Sequence, residues 1–148
     1  MALGNIFDIA GTGMNAQSLR LNTTASNLAN ANSANASIDQ TYRSRQPVFA
    51  AIHREAMHQK LDGDRSANES DANAGVQVLG IVESNVPLER RYEPSHPKSD
   101  PEGYVYYPNV NVVEEMTNMI SASRSFQMNV EVMNSAKQMV QRVLTLGQ

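Results

Sequence analysis

The chain has 148 residues, of which 41% are hydrophobic, 18% charged and 5% aromatic, with a formal net charge of -3. That length suits a single domain, and 12 basic against 15 acidic residues offer no basic surface for nucleic acid. Zero Cys removes disulfides, thiolate metal sites and cysteine nucleophiles, while 8 Met and no Trp point to adaptable helical packing.

Charge is spread unevenly and divides the chain into three parts. Residues 1–41 carry only Asp8, Arg20 and Asp39 as charged groups, among Ala, Asn, Ser, Thr, Gly and spaced aliphatics. Phe7, Ala10, Met14, Gln17, Leu21, Thr24, Leu28 and Ala31 alternate steps of three and four, which predicts a helix from about 2 to about 30. Gly11 and Gly13 each cost about 0.5–1 kcal/mol relative to Ala, and Asn and Thr compete for backbone hydrogen bonds. A helix so weak depends on a partner.

Residues 42–108 are rich in Pro, Gly and charge. The β-branched runs 47–52 and 76–84 read as strands, the second with a bulge suggested by Gly80. Between them, 62–75 reads as an exposed flexible loop of Asp, Asn, Ser and Gly. Pro94, Pro97, Pro101 and Pro108 exclude helix before Asn111. Arg90 and Arg91, neutralised locally by Glu89 and Glu93, suit an exposed strand edge better than a nucleic-acid contact.

Residues 109–148 give the stronger helix, predicted over 112–146 and roughly 50 Å long. Asn111 is its N-cap, Glu114 completes a capping-box pattern and Glu115 adds charge favourable to the dipole. One apolar seam runs through Val112, Met116, Met119, Ser123, Phe126, Val130, Met133, Lys137, Val140 and Leu144. A second runs through Met128, Val132, Ala136, Met139, Val143 and Leu146. One partner helix covers one stripe, so the other must meet a further surface. The fold expected is mainly α, with long terminal helices paired as a coiled coil around a small β-rich insertion.

Catalytic chemistry finds no support. His53, His58 and His96 are scattered and lack metal-site spacing. Gly11-Thr12-Gly13 has neither the third glycine nor the Lys of a phosphate cradle. Asp62 and Asp64 lack the bidentate Glu of a calcium loop. The pair Glu114 and Glu115 fits a helix N-terminus better than acid–base work. No catalytic, cofactor or metal site is expected. No run approaches the ~20 apolar residues of a membrane span, and the start lacks the pattern of a cleavable signal peptide.

Particular residues resemble a family. Ala25-Ser26-Asn27-Leu28-Ala29-Asn30-Ala31 resembles the N-terminal motif of bacterial flagellar axial proteins, the rod and hook family. Tyr42-Arg43, Pro47-Val48-Phe49, Tyr92-Glu93-Pro94-Ser95-His96-Pro97, Gly103-Tyr104-Val105 and Pro108-Asn109-Val110 narrow the likeness to the proximal rod. So do Val112-Val113-Glu114-Glu115-Met116, the run from Ser121 to Gln127 and the ending Leu144-Thr145-Leu146-Gly147-Gln148. The resemblance implies a structural subunit, exported without cleavage by the flagellar type III apparatus and assembled helically in the periplasm into a hollow drive shaft and export channel. Implied partners are further copies, the related rod proteins FlgB, FlgF, FliE and FlgG, and the export apparatus, without nucleic acid or membrane insertion. The candidate assembly interface is then Phe7, Met14, Leu21, Asn27, Leu28 and Asn30 with Met116, Met119, Phe126, Val130, Met133, Val140 and Leu144. A coiled-coil adaptor, or a binding module using the β insertion, is the competing reading. Because 62–75 lacks apolar spacing, deleting 65–73 is expected to leave motility near normal in a swarm assay; a dead strain would place essential contacts there.

Overall fold

The computed structural model describes residues 2–52 and 75–146, with side chains from 4 to 145. Helix α1 spans Ala2–Asn30 and helix α2 spans Val112–Leu146, both as the periodicity predicts. Between them lie a 3₁₀ turn at Ile38–Gln40 and strands β1 (Arg45–Ile52), β2 (Gly75–Glu83), β3 (Glu89–Tyr92) and β4 (Tyr104–Tyr107). The predicted loop at 62–75 falls outside the described residues except for Gly75, which opens β2 instead.

Side chains close α1 in place of a glycine cap. Asn30 Nδ2 donates to Ser26 O at 2.8 Å, and both the amide and the hydroxyl of Ser33 donate to Asn30 O. These bonds satisfy carbonyls that a helix end leaves without partners. At the start of α2, Asn111 Oδ1 accepts from the amides of Val113 and Glu114 at 3.1 and 3.3 Å. The expected N-cap is therefore present. The return bond from Glu114 that would complete a capping box is absent among the described residues.

The helices pack antiparallel, and α1 is covered on a second side by the β1–β2 hairpin. Arg45 at the start of β1 bonds Asn27, while the amide of Val76 on β2 donates to Thr12 Oγ1 at 3.3 Å. The hairpin thus runs back along α1 from Asn27 to Thr12. Seven strand residues and fifteen helix residues each span about 23 Å, so the two elements match in length. Val48 pairs with Gly80 and Phe49 with Val78, which leaves Leu79 as the extra residue of a bulge beside the predicted glycine.

Strands β3 and β4 form a second antiparallel pair. Arg90 stacks over Tyr104 at 4.3 Å and Arg91 over Tyr107 at 4.7 Å, which gives this basic pair aromatic partners within the strand pair. The turn between the strands closes on Gly103 at φ +85°, where a side chain would also meet Tyr92 at 2.9 Å. A backbone bridge between Asn35 and Tyr106 ties β4 to the segment leaving α1, and Val105 is wholly buried there.

Burial along the helical pair reaches Ala10 and Ala136 and stops before the last turns of α2. Thr23, Thr24, Asn27, Glu115 and Ala122 are buried, whereas residues 141–145 are all exposed. In dilute monomer, circular dichroism should read less helix than the 29 and 35 residues of α1 and α2. Hydrogen exchange should find the slowest amides near Thr24 and Ala122 and the fastest beyond Met139. Uniform protection along both helices would refute this polarity.

Candidate assembly interface

Asn27 is the most fully used polar side chain of the fold, and only 1% of it is exposed. Its Nδ2 donates to Arg45 O at 2.8 Å and to Glu115 Oε1 at 3.0 Å. Its Oδ1 accepts from Arg45 N at 2.9 Å and from the Tyr42 hydroxyl at 2.8 Å. Both amide protons and both lone pairs are therefore occupied. Asn27 pairs with Arg45 through both backbone groups, as a neighbouring strand would, and so joins α1, β1 and α2 at one point.

Glu115 is the acid of this cluster and is buried. It also accepts from Gln46 Nε2 at 3.3 Å. Burial raises its pKa above the ordinary carboxylate value; the Asn27 bond opposes the rise, nearby Glu114 adds to it and Arg20 opposes it. The dipole reading of Glu115 is thus incomplete, because this side chain turns inward onto α1. Arg20 reaches α2 separately, donating to Asn118 Oδ1 at 3.0 Å.

The two helices meet in layers seven residues apart. Asn27 bonds Glu115, a Cβ on Gly13 would lie 2.9 Å from Asn129 Nδ2, and Ile6 lines an apolar depression with Val132, Ala136 and Met139. The buried or half-buried seam of α2 is accordingly Glu115, Met119, Ala122, Phe126, Asn129, Met133, Ala136 and Val140. Four of the ten residues of the predicted seam, Met119, Phe126, Met133 and Val140, lie there. Four more are displaced by one residue: Glu115, Ala122, Asn129 and Ala136 pack where Met116, Ser123, Val130 and Lys137 were expected, while Val112 is half-buried at the start of the helix. Close approach at Gly13 requires small partners, and the buried carboxylate is tolerated because Asn27 bonds it. Met116, Lys137 and Leu144 are exposed, and Val130 is half-buried.

On α1 the predicted seam holds. Ala10, Thr24 and Ala31 are buried, and Phe7, Met14, Gln17, Leu21 and Leu28 are half-buried. Gln17 buries its Oε1 without a hydrogen-bond partner in the described structure. Asn30 is half-buried at the end of the helix. The residues that apolar spacing missed are Tyr42, Arg45, Glu115 and Asn129, none of which contributes to a hydrophobic stripe.

The second stripe of α2 remains open. Met128 and Val143 are each 63% exposed, and Val132 and Met139 are exposed beside them. Ala136, expected on the same stripe, instead faces α1 and is 1% exposed.

The comparisons with known proteins match the same elements. Residues 7–36 match a family model described as flagella basal body rod protein, and residues 102–146 match flagellar basal body rod FlgEFG protein C-terminal. The flagellar basal-body rod protein FlgC of Escherichia coli O157:H7 is 49% identical over 148 residues, covering the whole of both chains. The FlgC of Salmonella typhimurium LT2 is 48% identical over the same full span. That of Borreliella burgdorferi is 36% identical over 153 residues, covering all of this chain and 99% of its own. The chain belongs to the FlgC family of flagellar basal-body rod proteins. The two family matches cover α1 from residue 7 onward and all of α2, and with them both members of the Asn27–Glu115 pair.

Proposed function

We propose that the chain is a structural, non-enzymatic subunit of the proximal rod of the flagellar basal body. Its terminal helices pair as a coiled coil and assemble helically with further copies and with related rod proteins, among them FlgB, FlgF, FliE and FlgG. The product is the hollow shaft through which later subunits are exported. The uncovered stripe of Met128, Val132, Met139 and Val143, on a chain of this family, is the observation that carries the reading. An apolar face of this length on a folded chain marks an association surface. The antiparallel layers of seven residues support the coiled-coil pairing.

The subunit passes through the type III export apparatus without cleavage and is placed in the rod across the periplasm. Helices of low intrinsic propensity, held by tertiary contacts, support transport in an unfolded state. Among the described residues no helix is long and apolar enough to cross a membrane. Phe7, Met14, Leu21, Leu28, Met119, Phe126, Met133 and Val140 first close the subunit, Val130 lies half-buried at the edge of that contact, and Met116 and Leu144 remain exposed for neighbours. The family membership favours this reading over an adaptor or ligand-binding module.

A paired Met128→Glu and Val132→Glu substitution tests the face. Both residues are exposed, so urea unfolding of the monomer should stay within about 0.5 kcal/mol per site of the parent. The variant should be exported, yet basal bodies should lack rods and cells should not swim. Normal swimming would remove this stripe from the assembly.

A further inference from the structure

We propose that the Asn27–Glu115 pair is a register lock, which selects one alignment of α2 along α1 from those that apolar packing allows. The inference concerns the subunit itself and does not depend on the rod reading. Both helices repeat every seven residues at their contact, so sliding α2 by one repeat preserves the layering. The slide that moves Glu115 past the end of α1 places Ala122 opposite Asn27, Ala136 opposite Gly13 and Val143 opposite Ile6.

Judged by packing alone, that alternative is no worse than the observed alignment. It sets the small Ala136 against Gly13, whose missing side chain admits either partner, and gives the exposed Val143 an apolar neighbour in Ile6. Polar pairing decides otherwise. Opposite Ala122, the Asn27 amide loses the Glu115 acceptor, and a buried donor without a partner is costly. A single buried polar pair that fixes alignment at some expense of stability is a known device of helical pairs. The slide in the other direction would set Pro108, before the start of α2, against Asn27, so that layer alone would lose its helix contact and Glu115 would face Arg20 instead.

Two other ties could hold the alignment instead: the Arg20–Asn118 bond at 3.0 Å and a cluster just before α2. Arg20→Ala removes the first and should leave the crosslinking pattern parental. Asn109 accepts from Ser44 N at 2.8 Å and donates to Val86 O at 2.8 Å, just before α2 begins. It anchors the approach to the helix but not the turns beyond, because the seven residues the slide adds between Asn109 and the Asn27 layer can unwind and loop out. The absence of native Cys permits a direct reading by disulfide trapping in the full-length chain. Ile6→Cys with Ala136→Cys reports the observed alignment, and Ile6→Cys with Val143→Cys reports the slipped one, leaving the tight Gly13–Asn129 approach untouched.

In the parent the first pair should form and the second should be rare. With Asn27→Leu and Glu115→Leu together, the slipped pair should rise by about tenfold or more relative to the observed pair. Glu115→Gln, which keeps the acceptor for Asn27, should leave the parental pattern, as should Asn109→Ala. The proposal is overturned if the slipped pair stays rare in the double Leu variant or rises with Asn109→Ala. Loss of both crosslinks in the double Leu variant also overturns it, since the pair would then hold the fold rather than the register.

Discussion

Replacing Asn27 by Asp, a change of almost no volume, should destabilise the chain by about 3–5 kcal/mol at neutral pH and stop rod assembly. The substitution removes the donors to Arg45 O and to Glu115, and sets a second carboxylate 3.0 Å from Glu115 Oε1. Two carboxylates at that distance cannot both ionise cheaply, so the folded pair retains a proton above the ordinary carboxylate range. The unfolded chain releases both protons near pH 4 to 4.5. Between these values the folded state binds more protons than the unfolded state, so its stability falls as pH rises. The parent carries a weaker form of the same dependence, because burial already raises Glu115. Urea unfolding at several pH values should therefore show a small deficit near pH 4 that grows toward pH 7. Asn27→Ala removes the amide without adding charge, and its deficit should vary much less with pH. A deficit in Asn27→Asp that is equal at every pH would show that lost hydrogen bonds, and not carboxylate repulsion, dominate.

The same pair marks the boundary of what the sequence could tell. Both long helices were legible to their ends, since a sustained seam fixed α1 and Asn111 fixed the start of α2. Strands β1 and β2 and the bulge beside Gly80 were legible from β-branched runs and one glycine, but not that the two strands pair with each other. What could not be read was the phase of α2 against α1. Apolar spacing weighs Met116 above Glu115 and Val130 above Asn129, because hydrophobicity scores each residue alone. The phase is decided by a pairing between residues 88 positions apart and by the absence of a side chain at Gly13, which admits only small or slender partners. A buried Glu reads as a surface residue until its partner is known. The role of Arg45 was hidden for a different reason: it meets Asn27 with its backbone, which any residue could supply. The helical face left open, by contrast, was visible in the sequence, because an uncovered stripe is apolar along its whole length.

Deleting Ser123 should abolish motility, whereas Ser123→Ala should not. Ser123 is half-buried, and Ala122 beside it is already an alanine at the helix contact, so loss of the hydroxyl alone is a minor change. Loss of one residue from a helix rotates everything beyond it by roughly 100°. Lys137 would enter the site that Ala136 occupies with 1% exposure. Gln127 would replace Phe126 and Asn134 would replace Met133 along the contact. Losing Phe and Met from a packed face costs about 2–5 kcal/mol each when truncated to Ala, and desolvating an unpaired ammonium adds to that. The total exceeds the usual margin of about 5–15 kcal/mol only at its upper end, but the rotation also turns Met128, Val132, Met139 and Val143 away from any neighbouring subunit. Basal bodies from the deletion strain should lack rods while the chain is still exported. Inserting one Ala after Arg124 restores the phase from Ser125 onward, so that Phe126 regains its own site, and should recover swimming without restoring Ser123. If the insertion fails to rescue, or the deletion strain swims unaided, the phase of α2 is not what holds the subunit together.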